Sequence, residues 1–186
     1  KALLKNPKSD VTVLLITFFL TVIFDLTIAI EVGLVIACVL FMRRVMETTE
    51  ISVIKDEIDP NAESDIASND EHLIIPEDVE VYEINGPYFF GIATKFEEIM
   101  SRLGDRPKVR IIRMRKVPFI DSTGIHNLTN LCQMAQREKT TIVLSGVNEK
   151  VHKALEKSGF YELLGEKNIC PNINVALERS KELLNE

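Results

Sequence analysis

Residues 11–42 constrain this chain more than any other stretch: thirty-two residues hold only two charged side chains, Asp25 and Glu31. As one helix they would run about 48 Å at 1.5 Å per residue. The hydrocarbon core of a bilayer is about 30 Å thick, and two full spans need about 40 residues. The stretch is too long for one crossing and short for two. Its flanks decide between these. Lys1, Lys5 and Lys8 precede it, and Arg43 and Arg44 follow it. Basic residues at both ends favour the same, cytoplasmic, side for both. The pattern predicts a short helical hairpin in the lipid bilayer that turns at residues 25–27. Carboxylates at membrane depth are costly unless they face protein or water, so Asp25 and Glu31 are candidate membrane-embedded polar residues of a transport unit. The plainer reading makes them the aqueous turn and the first rung of the second helix, because a turn needs polar groups. A secretory signal is excluded: the stretch is longer than an ordinary signal core and lacks a small-residue cleavage pattern.

Charge is as localised as hydropathy. The net charge is -6, yet residues 47–80 hold twelve acids and one base, Lys55, whereas from residue 79 onward fourteen acids meet sixteen bases. The acidic part, interrupted by Asp59-Pro60-Asn61, reads as a linker over residues 46–77, self-repelling between residues 56 and 71. The remainder is near neutral, which removes the electrostatic case for a nucleic-acid partner. Cys38, Cys132 and Cys170 are far apart, without metal-ligand or redox spacing. They read as buried or indifferent thiols of a reducing compartment.

From residue 78 the periodicity is that of a folded α/β domain. Val79, Val81 and Ile84 predict a strand, Asn85-Gly86-Pro87 a turn, and Tyr88-Phe89-Phe90 a very short second strand. Ile92, Phe96, Ile99, Met100 and Leu103 fall at helical spacing, closed by Gly104. Residues 108–114 read as a buried strand. A helix follows with Ile125, Leu128, Leu131, Cys132 and Ala135 on one face, then a strand over residues 140–144. Asn148 is placed to cap a third helix bearing Val151, Ala154 and Leu155, which Gly159 stops. Asn172 or Asn174 caps a last helix with Leu177, Ser180, Leu183 and Leu184. Strands alternating with helices predict a mixed, partly parallel sheet with packed helices. The expected organisation is a membrane hairpin over residues 1–45, the linker over 46–77 and the α/β domain over 78–186.

The run Asp121-Ser122-Thr123-Gly124 stands where a strand gives way to a helix. Asp and Ser are favoured N-caps, and a helix start tolerates an anion. Ser122 and Thr123 are therefore candidate phosphorylation or regulatory residues, with Asp121 and Gly124 supporting the motif. A phosphate there would add about -1.5 to -2 charges to a contact surface. The alternative is a plain helix cap. No catalytic set completes a hydrolase: a serine nucleophile needs a base and an oxyanion hole, and His126 and His152 lie on different helices. A Gly-x-Ser-x-Gly elbow and a Gly-rich phosphate loop with lysine are missing from the sequence. Neither a metal nor a cofactor is expected.

Phe119-Ile120-Asp121-Ser122-Thr123-Gly124-Ile125 resembles the signature of STAS domains, which occur in anti-sigma-factor antagonists and in the cytoplasmic tails of sulfate permease (SulP) transporters. The resemblance continues through Ile142-Val143-Leu144-Ser145-Gly146-Val147 and Leu155-Glu156-Lys157-Ser158-Gly159-Phe160. Asn6-Pro7-Lys8-Ser9-Asp10, Thr17-Phe18-Phe19-Leu20-Thr21 and residues 25–33 resemble the last two, short transmembrane helices of sulfate permeases. The resemblance implies a STAS fold, phosphorylation at Ser122, and the C-terminal part of a secondary anion transporter in the cytoplasmic (inner) membrane, with the STAS domain in the cytoplasm. It implies as partners the membrane domain of the same chain, a second copy in a homodimer and a cytoplasmic protein. It carries over no substrate-binding residue and no enzymatic activity. The rival reading is a membrane-tethered partner-switching regulator controlled through Ser122. A third, nucleotide binding, finds no converging site.

Overall fold

The computed structural model describes residues 8–54, 57–58, 73–89, 98 and 107–185. The chain divides into two compact units, Lys1–Thr48 and Thr49–Glu186.

The first unit is a pair of helices, α1 (Lys8–Ile23) and α2 (Leu26–Thr48), broken at Phe24-Asp25. Asp25 sits at the break, exposed, and its Oδ1 accepts the Leu26 N–H at 2.6 Å. The two helices pack on each other along a seam that includes Ala29 and Gly33. At Gly33 a Cβ would stand 2.7 Å from Thr17 Oγ1, so the missing side chain is what allows the approach. Thr17 Oγ1 is itself satisfied by donating to the Val13 carbonyl at 2.8 Å. Away from the seam the surface is apolar and exposed, with Phe18, Phe19, Ile30, Leu34, Val35 and Phe41 all outward. A helix that is apolar all round belongs in a core or in lipid. Among the described residues, Leu26–Val45 is the one helical stretch long and apolar enough to cross a bilayer, and Val11–Ile23 is shorter. Glu31 lies exposed on α2, two residues beyond Ala29 and therefore away from α1.

The second unit is built on a sheet of five strands in the order β1 (Glu50–Ile54), β4 (Val79–Asn85), β5 (Val109–Arg113), β6 (Thr141–Ser145) and β7 (Ile169–Cys170). β1 runs antiparallel to β4, and the other pairs are parallel. Two further short strands, β2 (Glu57–Ile58) and β3 (Leu73–Ile74), pair with each other. Alternation along the strands sends Tyr82, Ile84, Ile112, Ile142 and Leu144 to one face, where they meet α3 (Ser122–Arg137), α4 (Glu149–Lys157) and α5 (Phe160–Leu164). Val81, Ile111 and Val143 face the other way, onto α6 (Ile173–Asn185). The mixed, partly parallel sheet with packed helices is the fold expected from the sequence, and its helices lie on both faces.

β5 is buried along its whole length, as a central parallel strand should be. It nonetheless carries Arg110 and Arg113. Arg110 Nε donates to Glu80 Oε2 at 3.2 Å, and Tyr82 Oη donates to the same oxygen at 2.7 Å. Burial, reinforced by the Glu80 carboxylate, holds the Tyr82 phenol well above its ordinary pKa. Arg113 stands 3.7 Å and Arg115 2.9 Å from Glu83 Oε1.

Several elements depart from the sequence expectations. The 46–77 stretch contributes β1, because Ile51 and Val53 alternate onto the core despite their acidic neighbours, and also the separate β2–β3 pair. The linker expected between residues 56 and 71 lies largely outside the described residues, as does the helix from Ile92 to Gly104 apart from Glu98. Tyr88 forms an isolated parallel bridge with Ile120 where a short strand was expected. Gly159, at φ +74°, stops α4 as expected, but the chain then turns directly into α5. Asn148 caps α4 and Asn172 caps α6, accepting the Val175 N–H at 3.0 Å.

Two outcomes follow. Replacing Gly33 with Leu should destabilise the hairpin by about 2 kcal/mol through overpacking. Thr17→Ala should recover part of that loss by removing the group the new side chain meets; thermal melts of the detergent-solubilised protein test both. The thiols should also divide by burial: Cys38 is exposed, whereas Cys132 and Cys170 are buried. Burial pushes the Cys132 thiol up to about 12 and raises Cys170 as well. A thiol reagent at pH 8 should therefore leave Cys132 and Cys170 unmodified until denaturant releases them.

Candidate functional site

The start of α3 is set by backbone contacts from another part of the chain. After β4 the chain turns at Gly86 and brings Tyr88 beside residues 119–121. Tyr88 N–H donates to the Phe119 carbonyl at 3.1 Å, and the Tyr88 carbonyl accepts the Asp121 N–H at 3.4 Å. Asp121 is extended and acts as the N-cap: its Oδ1 accepts the Gly124 N–H at 2.6 Å. Gly124 is buried, and a Cβ at this position would lie 2.5 Å from the Tyr88 carbonyl oxygen and 3.0 Å from Ile120 Cγ1. Glycine is required here by space.

These contacts leave Ser122 and Thr123 in the first turn of α3, both exposed. Phe119, 51% exposed, lies just before them. The neighbouring α4 is tied to the same loop, because Asn148 caps α4 through the N–H groups of Lys150 and Val151 and donates its Nδ2–H to the Val117 carbonyl. The sequence pointed to Asp121, Ser122, Thr123 and Gly124 as one motif, and the structure brings them together in one turn. It missed Tyr88, whose role is carried by a backbone carbonyl and leaves no residue-type signal. Asp25 and Glu31 belong to the other unit.

The surroundings offer little for bond-making chemistry. Asn130 Nδ2 pairs with His126 Nε2 at 3.2 Å on the exposed side of α3. The His152 ring stacks edge-on against Tyr161, centroids 5.0 Å apart. Among the described residues no group of three His, Cys, Asp or Glu side chains is placed to hold a metal ion. A pocket of about 240 Å³ lies at the far end of α3, lined by Cys132, Gln136, Lys139, Thr140 and Asn168 among others. Its one thiol is protonated at neutral pH, because burial holds its pKa at about 12.

The family model of the STAS domain matches residues 72–176. YvdB of Bacillus subtilis (strain 168), which is named for sulfate transport, is 29% identical over 173 residues, covering 89% of this chain and 29% of that protein. The crystal structure of a sulfate transporter family protein from Wolinella succinogenes shares 38% identity at a TM-score of 0.59, covering 67% of this chain and all of that one. The murine Slc26a9 anion transporter, solved in the inward-facing state, has the same fold at a TM-score of 0.73 and 17% identity, over 97% of this chain and 30% of its own. The chain spans less than a third of the length of the curated relatives it matches. With the α/β sheet, the motif turn at α3 and a 38% identical relative matched along its whole length, the chain belongs to the SulP sulfate-transporter family and holds its STAS domain.

Proposed function

We propose that this chain is the C-terminal portion of a SulP-type secondary anion transporter, in which residues 1–45 end the membrane domain and residues 78–186, together with β1 from the stretch between, form the domain that regulates. The carrying observation is the direct succession of an apolar helix pair and a STAS sheet: α2 ends at Thr48 and β1 begins at Glu50. Such a surface is stable where lipid or further membrane helices cover it. Membrane proteins of this type keep basic flanks in the cytoplasm, which puts Arg43, Arg44 and the STAS domain on the cytoplasmic side of the inner membrane. Transport itself belongs to alternating access by the membrane helices, and its substrate is a small anion of the sulfate, bicarbonate or dicarboxylate class. The STAS domain supports assembly of two copies and contact with a cytoplasmic protein.

Ser122 is the regulatory position in this reading. Exposure at the first turn of α3 leaves its hydroxyl open to a kinase. Oγ would form the new O–P bond as the terminal P–O bond of a nucleoside triphosphate breaks; the diphosphate leaves and the hydroxyl proton passes to the kinase's base. The exposed Phe119 nearby favours a second reading, a membrane-tethered partner-switching regulator that moves no anion.

Uptake of labelled sulfate, bicarbonate and dicarboxylate into vesicles holding the full-length protein separates the two. Uptake of at least one of them carries the first reading; none under any imposed gradient removes it. Ser122→Asp should change the rate about fivefold while the fold is kept, and Ser122→Ala should resemble the unmodified protein. Wild-type rates and wild-type partner binding in both variants would end the regulatory role of Ser122. Gly124→Ala differs in kind: its methyl meets the Tyr88 carbonyl, so it should cost about 2 kcal/mol of stability in a urea titration.

A further inference from the structure

The tripeptide Gly86-Pro87-Tyr88 touches two places that matter to the proposed function. At one end stands Thr49, fully buried. It is the residue directly after α2, and β1 starts at the next position. Gly86 has φ +128°, and a Cβ on it would lie 2.6 Å from Thr49 Oγ1 and 2.9 Å from Thr49 Cγ2, so the two residues are packed without slack. Gly86 N–H also donates to the Lys116 carbonyl at 3.3 Å, within the loop that leads to α3. At the other end Tyr88 holds Phe119 and Asp121 by backbone hydrogen bonds and abuts Gly124. Pro87 fixes its own φ, which stiffens the piece between them.

We infer that Gly86-Pro87-Tyr88 is a strut through which the charge on Ser122 is felt at Thr49, where the chain leaves α2. This rests on the regulatory reading of Ser122. Asp121 Oδ1 holds the Gly124 N–H at 2.6 Å. A phosphate on the adjacent Ser122 is drawn to the same N–H groups of the helix start and repels the Asp121 carboxylate. The Asp121 backbone N–H is bonded to the Tyr88 carbonyl, so a displaced cap pulls on Tyr88. Tyr88 is two residues from Gly86, and the Gly86–Thr49 contact has no free space to absorb the movement.

Hydrogen exchange on the full-length protein in lipid nanodiscs tests the strut. Ser122→Asp should change amide exchange in β1 by about threefold or more, alongside a change at the start of α3. In a Thr49→Ala background the β1 response should vanish while the α3 response persists. Thr49→Val, which keeps the shape, should restore it. Should Thr49→Ala not fold, Thr49→Ser, which removes the methyl and keeps Oγ1, replaces it, and the β1 response should then weaken rather than vanish; an undiminished response overturns the strut. A silent β1, a silent α3 start, or a β1 response equally strong without the Thr49 side chain overturns the strut. Anion uptake by the same samples keeps the two ideas apart: a rate change with β1 silent removes the strut alone, and a β1 response with unchanged uptake removes the regulatory role alone.

Discussion

The backbone carbonyl of Tyr88 accepts the Asp121 N–H and lies so near Gly124 that a single methyl there would overlap it. That contact fixes where α3 begins. Once the start is fixed, Asp121 becomes the cap, Gly124 faces inward, and Ser122 and Thr123 face solvent. The rest of α3 then places Leu128, Leu131, Cys132 and Ala135 on the sheet at helical spacing. Relaxing the contact would change the cap and the first turn together, since Asp121 makes both the backbone bond to Tyr88 and the side-chain bond to Gly124.

The two units solve the problem of apolar surface in different ways. In the second, alternation along the strands and one stripe per helix turn the apolar groups inward. In the first, the buried positions form a narrow seam at Ala29 and Gly33, and large side chains point outward on the remaining faces. The sheet unit in turn buries charge. Arg110 and Arg113 in the central strand are nearly inaccessible, each within reach of a carboxylate on β4. Such pairs add little net stability against an apolar alternative, but losing one partner leaves a buried charge exposed to its full desolvation cost. Because Arg110 sits opposite Glu80 and Arg113 opposite Glu83 in the β4–β5 ladder, the pairs favour this register over a slipped one.

Legibility in the sequence followed the physics of each element. β5 and β6 are short β-branched runs with turn signals beside them, and α3 carries a cap and a clean stripe, so all three were readable. β1 was not, because it sits among acids and splits its apolar residues between the two faces of the sheet, Ile51 and Val53 on one and Ile54 on the other. β7 has two residues, too few for any period to register. Of the candidate site, the Asp121 cap and the need for Gly124 were visible as residue types. The reason for that glycine was not, since it lies in a carbonyl thirty-six positions away in the chain (Tyr88 to Gly124). Asp25 was legible as a turn residue, and the structure has it at the helix break, accepting the first N–H of α2.

Exposure decides what a hydroxyl at this helix start can do. Oxyanion stabilisation is strong where water is excluded and the donors are aimed in advance. Ser122 stands in solvent, where the field of a helix terminus is screened and worth well under what it would be in a closed cleft. A covalently attached phosphate does not depend on that weak affinity, because it is held at high local concentration beside the N–H groups whatever the solvent does. What the site can offer is therefore a local rearrangement of the cap. The Gly124 N–H is already taken by Asp121, so an anion added on Ser122 would have to compete for that bond. A change that small reaches further only through contacts without slack, and Tyr88 against Gly124 and Gly86 against Thr49 are two such contacts on one short, proline-stiffened segment.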